Sequence, residues 1–197
     1  VLAGIFLVLI VWTVWGNTAL ERNAYTIRSP ELPDVFDGYR IAQVSDLHNA
    51  EFGDGNQRLL NMLREAEPDM IAITGDLIDS RKTNIAAALA FAEEAVRIAP
   101  CYYVSGNHEA RVPKYRELKA GLEAAGVTVL DDARVEIEIS GKSITIIGVN
   151  DPSFLADYLT SDAAVMDRKL SELSSEDASF TILLSHRPEL FDTYAAH

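Results

Sequence analysis

Met70-Ile71-Ala72-Ile73-Thr74, with Gly75-Asp76 directly behind it, is the stretch that decides the fold. A short apolar, β-branched run bounded by turn formers reads as a buried strand, and a carboxylate arrives at its carboxyl end. Three further stretches share the plan. Residues 40–45 run into Asp46-Leu47-His48, residues 101–105 into Gly106-Asn107-His108-Glu109, and residues 180–185 into His186. In α/β sheets, ligands gather beyond the carboxyl ends of the strands. An Asp behind one strand is ordinarily a turn or capping residue. Capping does not call for Asn-His after one strand and Asp-Leu-His after another, so the four ends together form a candidate metal site.

The first three of these ends lie about thirty residues apart, the length of a strand–helix–strand unit. Between them, Asn56 to Ala66 carries Leu59, Leu60, Met62 and Leu63 at helical spacing. Asn84 to Ala99 repeats the pattern with Ile85, Leu89, Ala92, Val96 and Ile98 before Pro100 stops it. Right-handed crossovers then make the strands parallel and bring their carboxyl ends to one side. Carboxylate, imidazole and amide oxygen suit Mn, Fe, Zn or Mg ions. A thiolate site would need more cysteine than Cys101, the only one, which sits in an apolar run and is read as packing.

Past Val127 the periodicity changes. Val135 to Ile139 alternates as a half-buried strand, Ser140-Gly141-Lys142 reads as a tight turn, and Ser143 to Ile147 returns. Asp151, before Pro152, is read as a turn former. Asp162 to Leu173 is expected as a surface helix, Ser174 to Ser179 as a polar loop, and Pro188 to Tyr194 as a helix that carries His197 away from the site. Periodicity alone leaves open one doubly wound sheet or two packed sheets.

Asp46-Leu47-His48, Gly75-Asp76, Gly106-Asn107-His108-Glu109 and Ser185-His186 resemble, in order and spacing, the first four motifs of the calcineurin-like metallophosphoesterases. The likeness runs from about Ile27 to the end. It is closest to a bacterial membrane-anchored branch of UDP-2,3-diacylglucosamine pyrophosphatase-like enzymes and general phosphodiesterases. The resemblance implies an α/β fold of two mixed β-sheets packed as a sandwich flanked by helices. It also implies two divalent metal ions (Mn, Fe, Zn or similar), one held by Asp46, His48 and Asp76, the other by Asp76, Asn107 and His186. A hydroxide bridging the ions would attack a phosphodiester or pyrophosphate. His108 would be the proton donor, oriented by Asp46, while Glu109 orders the loop. The family's fifth motif, Gly-His-x-His, does not occur before His197, so further ligands are expected beyond it; Val1 likewise suggests residues in front. A nuclease or cyclic nucleotide phosphodiesterase of the same superfamily, or a non-catalytic membrane-anchored metal-binding module, are the alternatives.

Residues 1–20 contain no charge. Roughly twenty apolar residues at ~1.5 Å rise match a ~30 Å bilayer core, so a transmembrane anchor is expected, with Trp12 and Trp15 as its interfacial belt. Residues 21–38 are read as a juxtamembrane segment and first strand, and 39–197 as the catalytic domain. Glu21-Arg22-Asn23 is not strongly basic, which favours single-pass placement in the cell membrane with the domain extracytoplasmic. The net charge of −13 argues against nucleic acid, whose binding rests on phosphate contacts. Yet Arg81, Arg111 and Arg187 each follow a candidate ligand, and a locally positive rim would focus a small phosphoester or lipid-linked phosphate substrate.

Overall fold

The computed structural model describes residues 2–155, 159–174 and 180–197. Its first element, α1 (Leu2–Thr18), has 17 residues and ends where Gly16, Asn17 and Thr18 weaken helix propensity. Among the described residues no helix is long and apolar enough to cross a membrane. What remains is an apolar helix without an amphipathic face: Phe6, Val8 and Trp12 are each 66% exposed. The strand expected within residues 21–38 also does not form. Pro30 and Pro33 withhold ladder N–H groups there, and the segment offers only a 3₁₀ turn, Asp34–Phe36, whose Phe36 is buried.

Strands β1 (Ile41–Val44), β2 (Met70–Thr74), β3 (Cys101–Val104) and β4 (Thr128–Val129) form one sheet in that order, parallel throughout. The connections carry α2 (Gln57–Ala66), α3 (Ile85–Ala95), and then α4 (Asn107–Ala110) with α5 (Tyr115–Ala124). The first sheet is therefore not mixed as expected, because each connection crosses over through a helix and returns in the same direction. Only the second sheet is mixed. β5 (Ala133–Ile139) and β6 (Lys142–Gly148) are antiparallel through Ser140-Gly141, both with positive φ (51° and 76°), as a two-residue hairpin of primed type requires. After α6 (Asp162–Leu173), β7 (Thr181–Leu184) pairs in parallel with β6. A last short helix, α7 (Phe191–Tyr194), follows.

Period-two alternation places the layers. From β2, Ile71 and Ile73 pack with Leu60 and Leu63 of α2, Phe91 of α3 and Leu118 of α5. On the opposite face Met70 and Ala72 meet Ile144 and Ile146 of β6, with Val104 and Leu184. Beyond β6, Ile147 packs against Met166 and Leu170 of α6. The order is helices, parallel sheet, mixed sheet, helix, with β2 buried on both faces. The expected helix over Asp162–Leu173 forms, capped by Ser161, whose hydroxyl accepts the Ala164 N–H at 3.3 Å. The expected loop over Ser174–Ser179 lies outside the described residues except for Ser174.

Candidate metal centre

The loops behind β1 and β2 leave the sheet as a short ladder: Asp46 N donates to Gly75 O (3.1 Å), His48 N to Asp76 O (2.8 Å) and Asn49 N to Leu77 O (3.1 Å). The ladder holds Asp46, His48 and Asp76 at φ of 54°, 47° and 51°. L-residues with side chains rarely adopt this region, at a cost of about 1–3 kcal/mol each when the surroundings impose it. Two glycines let the groups crowd. A Cβ on Gly106 would stand 2.2 Å from Asp76 Oδ1, and one on Gly75 would stand 2.7 Å from His186 Nδ1.

Asp76 lies at the centre, 3% exposed. Its Oδ1 accepts the His108 backbone N–H at 2.8 Å. Its Oδ2 faces His48 Nε2 at 3.6 Å and His186 Nε2 at 3.4 Å. Asp46 Oδ1 stands 3.6 Å from His48 Nε2 and 4.0 Å from His186 Nε2, and its Oδ2 accepts the Ser45 hydroxyl at 2.6 Å. Donor atoms of Asp46, Asp76 and His186 lie within 4.8 Å of one another, as do those of His48, Asp76 and His108. These two groups share Asp76, and Asp46 Oδ1 stands between the two imidazoles, nearer His48 than His186. Asn107 opens α4 beside them.

This donor set fits a divalent cation. Asp46 and Asp76 face imidazoles and, among the described residues, no lysine or arginine. Two donors each ~2.1 Å from one ion sit about 3.4 Å apart at a tetrahedral angle, the spacing found here rather than that of hydrogen bonds. His186 Nδ1 donates to the Thr74 carbonyl at 2.8 Å, which directs the Nε2 lone pair at the carboxylates. Lone pairs facing each other require a proton or a cation between them. The Asp76 carboxylate accordingly lifts the His186 pKa to about 9. Burial alone would raise the Asp76 carboxyl; the His186 imidazole and the His108 N–H outweigh it and hold the value below normal. His48 Nδ1 is a buried nitrogen without a hydrogen-bond partner among the described residues.

His108 is oriented differently from expectation. Its Nδ1 accepts the Ser80 backbone N–H at 3.0 Å, with Asp79 Oδ1 4.0 Å away, so Asp79 and Ser80, not Asp46, set the ring. In the neutral ring a nitrogen that accepts an N–H carries no proton, which places the proton on Nε2. The His48 ring stands edge-on with centroids 4.4 Å apart. Glu109 does order the loops. Fully buried, it accepts Asp76 N and Gly106 N on Oε2 (both 2.8 Å) and Ile78 N on Oε1 (3.1 Å). Burial raises its pKa and these three N–H groups only partly oppose the shift.

Of the three expected substrate arginines, Arg81 and Arg111 are exposed on the loops that carry Asp79 and His108. Arg187 is committed elsewhere: its Nε and Nη2 grip fully buried Asp151 at 2.5 and 3.0 Å, and Nη2 also reaches Ser153 Oγ at 2.9 Å. It fastens β7 to the turn after β6 and is not placed as a substrate contact. His197 pairs with Asp167 of α6 at 3.0 Å, away from the centre. Asp151 also accepts Ser153 N, the expected turn role. Asp151→Ala would strand the guanidinium, and a loss of about 3–5 kcal/mol in urea unfolding at pH 7 is expected. Burial would raise the Asp151 pKa, but Arg187 lowers it. The carboxylate's contribution is thus present above the unfolded Asp value near ~3.9 and lost as pH falls through the lower folded value. The wild-type advantage over Asp151→Asn should therefore shrink only below about pH 4; one that vanishes by pH 6 would contradict the pairing.

A model of the calcineurin-like phosphoesterase family matches residues 39–196. The chain is 27% identical over 155 residues to YkoQ of Bacillus subtilis (strain 168), an uncharacterized metallophosphoesterase, covering 76% of this chain and 53% of that protein. It is 29% identical over 178 residues to YkuE of the same organism, also an uncharacterized metallophosphoesterase, covering 86% and 58%. A Danio rerio transmembrane protein with metallophosphoesterase domain is 27% identical over 193 residues, covering 90% and 42%. The chain spans about half the length of the curated relatives it matches.

Proposed function

The chain belongs to the calcineurin-like phosphoesterase family, and from that premise we propose that it hydrolyses a phosphodiester or pyrophosphate bond at a centre of two divalent cations sharing Asp76. The observation that carries this reading is Asp76 Oδ2 facing two imidazole nitrogens at once, at 3.6 and 3.4 Å. Asp46, His48 and Asp76 would hold one ion, and Asp76, Asn107 and His186 the other; Mn, Fe and Zn suit these donors. When bound, such ions lower the pKa of water and offset charge on phosphoryl oxygens.

The chain's own part is proton handling and orientation. Protonated His108 would donate to the departing alkoxide and be left as neutral imidazole, with the Asp79 carboxylate 4.0 Å from its Nδ1 to offset the imidazolium charge. Glu109 fixes the backbone of the loops that carry Asp76 and Asn107. No covalent enzyme intermediate is needed. Arg81 and Arg111 lie on the same loops, where they would attract a phosphate group in an otherwise acidic protein. The net charge of −13 disfavours a nucleic acid and favours a small phosphoester or lipid-linked phosphate. The similarities reach the family and not the UDP-2,3-diacylglucosamine pyrophosphatase-like branch, which stands as the narrower form of the proposal. Hydrolysis of bis(p-nitrophenyl) phosphate should be abolished by chelation and restored by Mn; turnover that survives exhaustive chelation would contradict the reading.

Membrane attachment belongs to the same proposal. The side chains of residues 5–12 in α1 are apolar and exposed, and lipid would bury them. Retention in the membrane fraction through carbonate and high-salt washing is expected, since apolar burial does not depend on charge. Release by salt alone would contradict it.

A further inference from the structure

His186 reaches the centre by a different route from the other donors. Asp46, Asp76 and Asn107 follow strands of the first sheet, whereas His186 follows β7 of the second. Among the described residues β7 is paired on one side only, with β6. The placement of His186 against Asp76 therefore depends on how firmly the end of an edge strand is held. Its imidazole is set from the first sheet, where Thr74 O meets Nδ1 at 2.8 Å. The backbone that carries the imidazole needs a hold of its own.

One hydroxyl supplies it. Tyr194 Oη of α7 donates to Arg187 O at 2.8 Å. A carbonyl only accepts, so this bond uses the single Tyr194 proton. The Ser185 hydroxyl, 2.8 Å from Tyr194 Oη, is then the donor of the next bond. Arg187 N donates back to Ser185 Oγ at 3.3 Å. The three bonds close a cycle through the two residues that flank His186. Tyr194 is itself fixed from the far side: it packs against the cluster of Ile147, Val149, Met166 and Leu170. His197 pairs with Asp167 of α6 at 3.0 Å and fastens the end of α7.

We propose that Tyr194 is a positioning residue for His186: its hydroxyl closes the cycle around residues 185–187 and thereby sets the affinity of the ion held by Asp76, Asn107 and His186, leaving the ion beside His48 unaffected. The effect on the ions rests on the two-ion reading; the ordering of residues 185–187 does not.

Tyr194→Phe is the test, because it keeps the packed aromatic ring and removes only the oxygen. Manganese is titrated calorimetrically into the full chain after chelation has stripped it. Wild type should take up two ions. Tyr194→Phe should hold one at wild-type affinity and the other about 10–100-fold more weakly, as loss of an outer partner of a ligand does. Anomalous occupancy at limiting manganese should fall beside His186 and not beside His48. Turnover of bis(p-nitrophenyl) phosphate should need correspondingly more manganese, yet reach the wild-type kcat at saturation, which general damage to the fold would not allow. Wild-type affinity for both ions, or equal weakening of both, overturns the proposal. Amide hydrogen exchange of the stripped chain reads the ordering without metal. Arg187 N–H should exchange at least about tenfold faster in Tyr194→Phe, while Val149 N–H, bonded to Leu184 O across β6 and β7, keeps its wild-type rate. An unchanged Arg187 rate overturns the positioning. Faster Arg187 exchange in a chain whose wild type binds a single ion would uphold the positioning and count instead against the two-ion centre.

Discussion

Asp76→Ala is expected to strip the protein of both divalent ions and of turnover, while Asn107→Ala should mainly weaken one ion. Among the described residues Asp76 is the only carboxylate that belongs to both donor groups, and its Oδ2 faces His48 and His186 from a nearly solvent-free position, with the side chain 4% exposed. Its removal takes the shared donor from each group at once. Second-sphere partners alone typically cost 10–100-fold in metal affinity, so loss of a shared ligand should exceed about a hundredfold. Because Asp76 Oδ1 also accepts the His108 N–H, part of any effect of Ala is structural. Asp76→Asn answers this. It retains an oxygen for that bond and a side chain of the same size, and it should still lose the ions. Elemental analysis of purified variants reads the result. Two ions per chain retained in Asp76→Asn would remove Asp76 from the bridging position.

His108→Ala should separate binding from chemistry. Its donor atoms lie within 4.8 Å of those of His48 and Asp76, so geometry alone permits a ligand or a proton donor. As a donor, it should be dispensable for metal content yet lower the rate for alkyl phosphodiesters by about 10²–10⁴. The loss should shrink with nitrophenyl esters, whose leaving groups need little protonation. Equal loss with good and poor leaving groups, or loss of an ion, would instead make His108 a ligand.

The strand ends were legible because two periodic signals agreed: apolar runs gave the strands, and a turn-plus-donor motif closed each one at Asp46, Asp76, Asn107 and His186. Helical spacing between them gave the crossovers, hence one edge for Asp46, Asp76 and Asn107, while His186 arrives from the second sheet. The hairpin around Ser140-Gly141 and the helix at Asp162 were legible for the same local reasons. What escaped the sequence was mostly pairing between distant segments. Nothing near Arg187 announces that Asp151, 36 residues earlier, will take it out of the rim. Asp79 and Ser80 looked like loop residues, since their importance comes from lying beside His108, 28 residues on from Ser80. A signal did exist in Asp76-Leu77-Ile78-Asp79, where a second carboxylate follows the first at short range. One error had a local cause: two prolines prevented a strand within 21–38. Gly75 and Gly106 could be read as turn glycines, but their tolerance of carboxylate and imidazole at under 3 Å from a hypothetical Cβ appears only in three dimensions.

The most direct measurement is anomalous scattering at the manganese edge from crystals of the Mn-loaded full chain. Two peaks are expected, both about 2.0–2.2 Å from Asp76 Oδ2, one beside His48 and the other beside His186. Absence of density at Asp76, or ions held by other residues while Asp76 Oδ2 stays unligated, would contradict the shared metal centre.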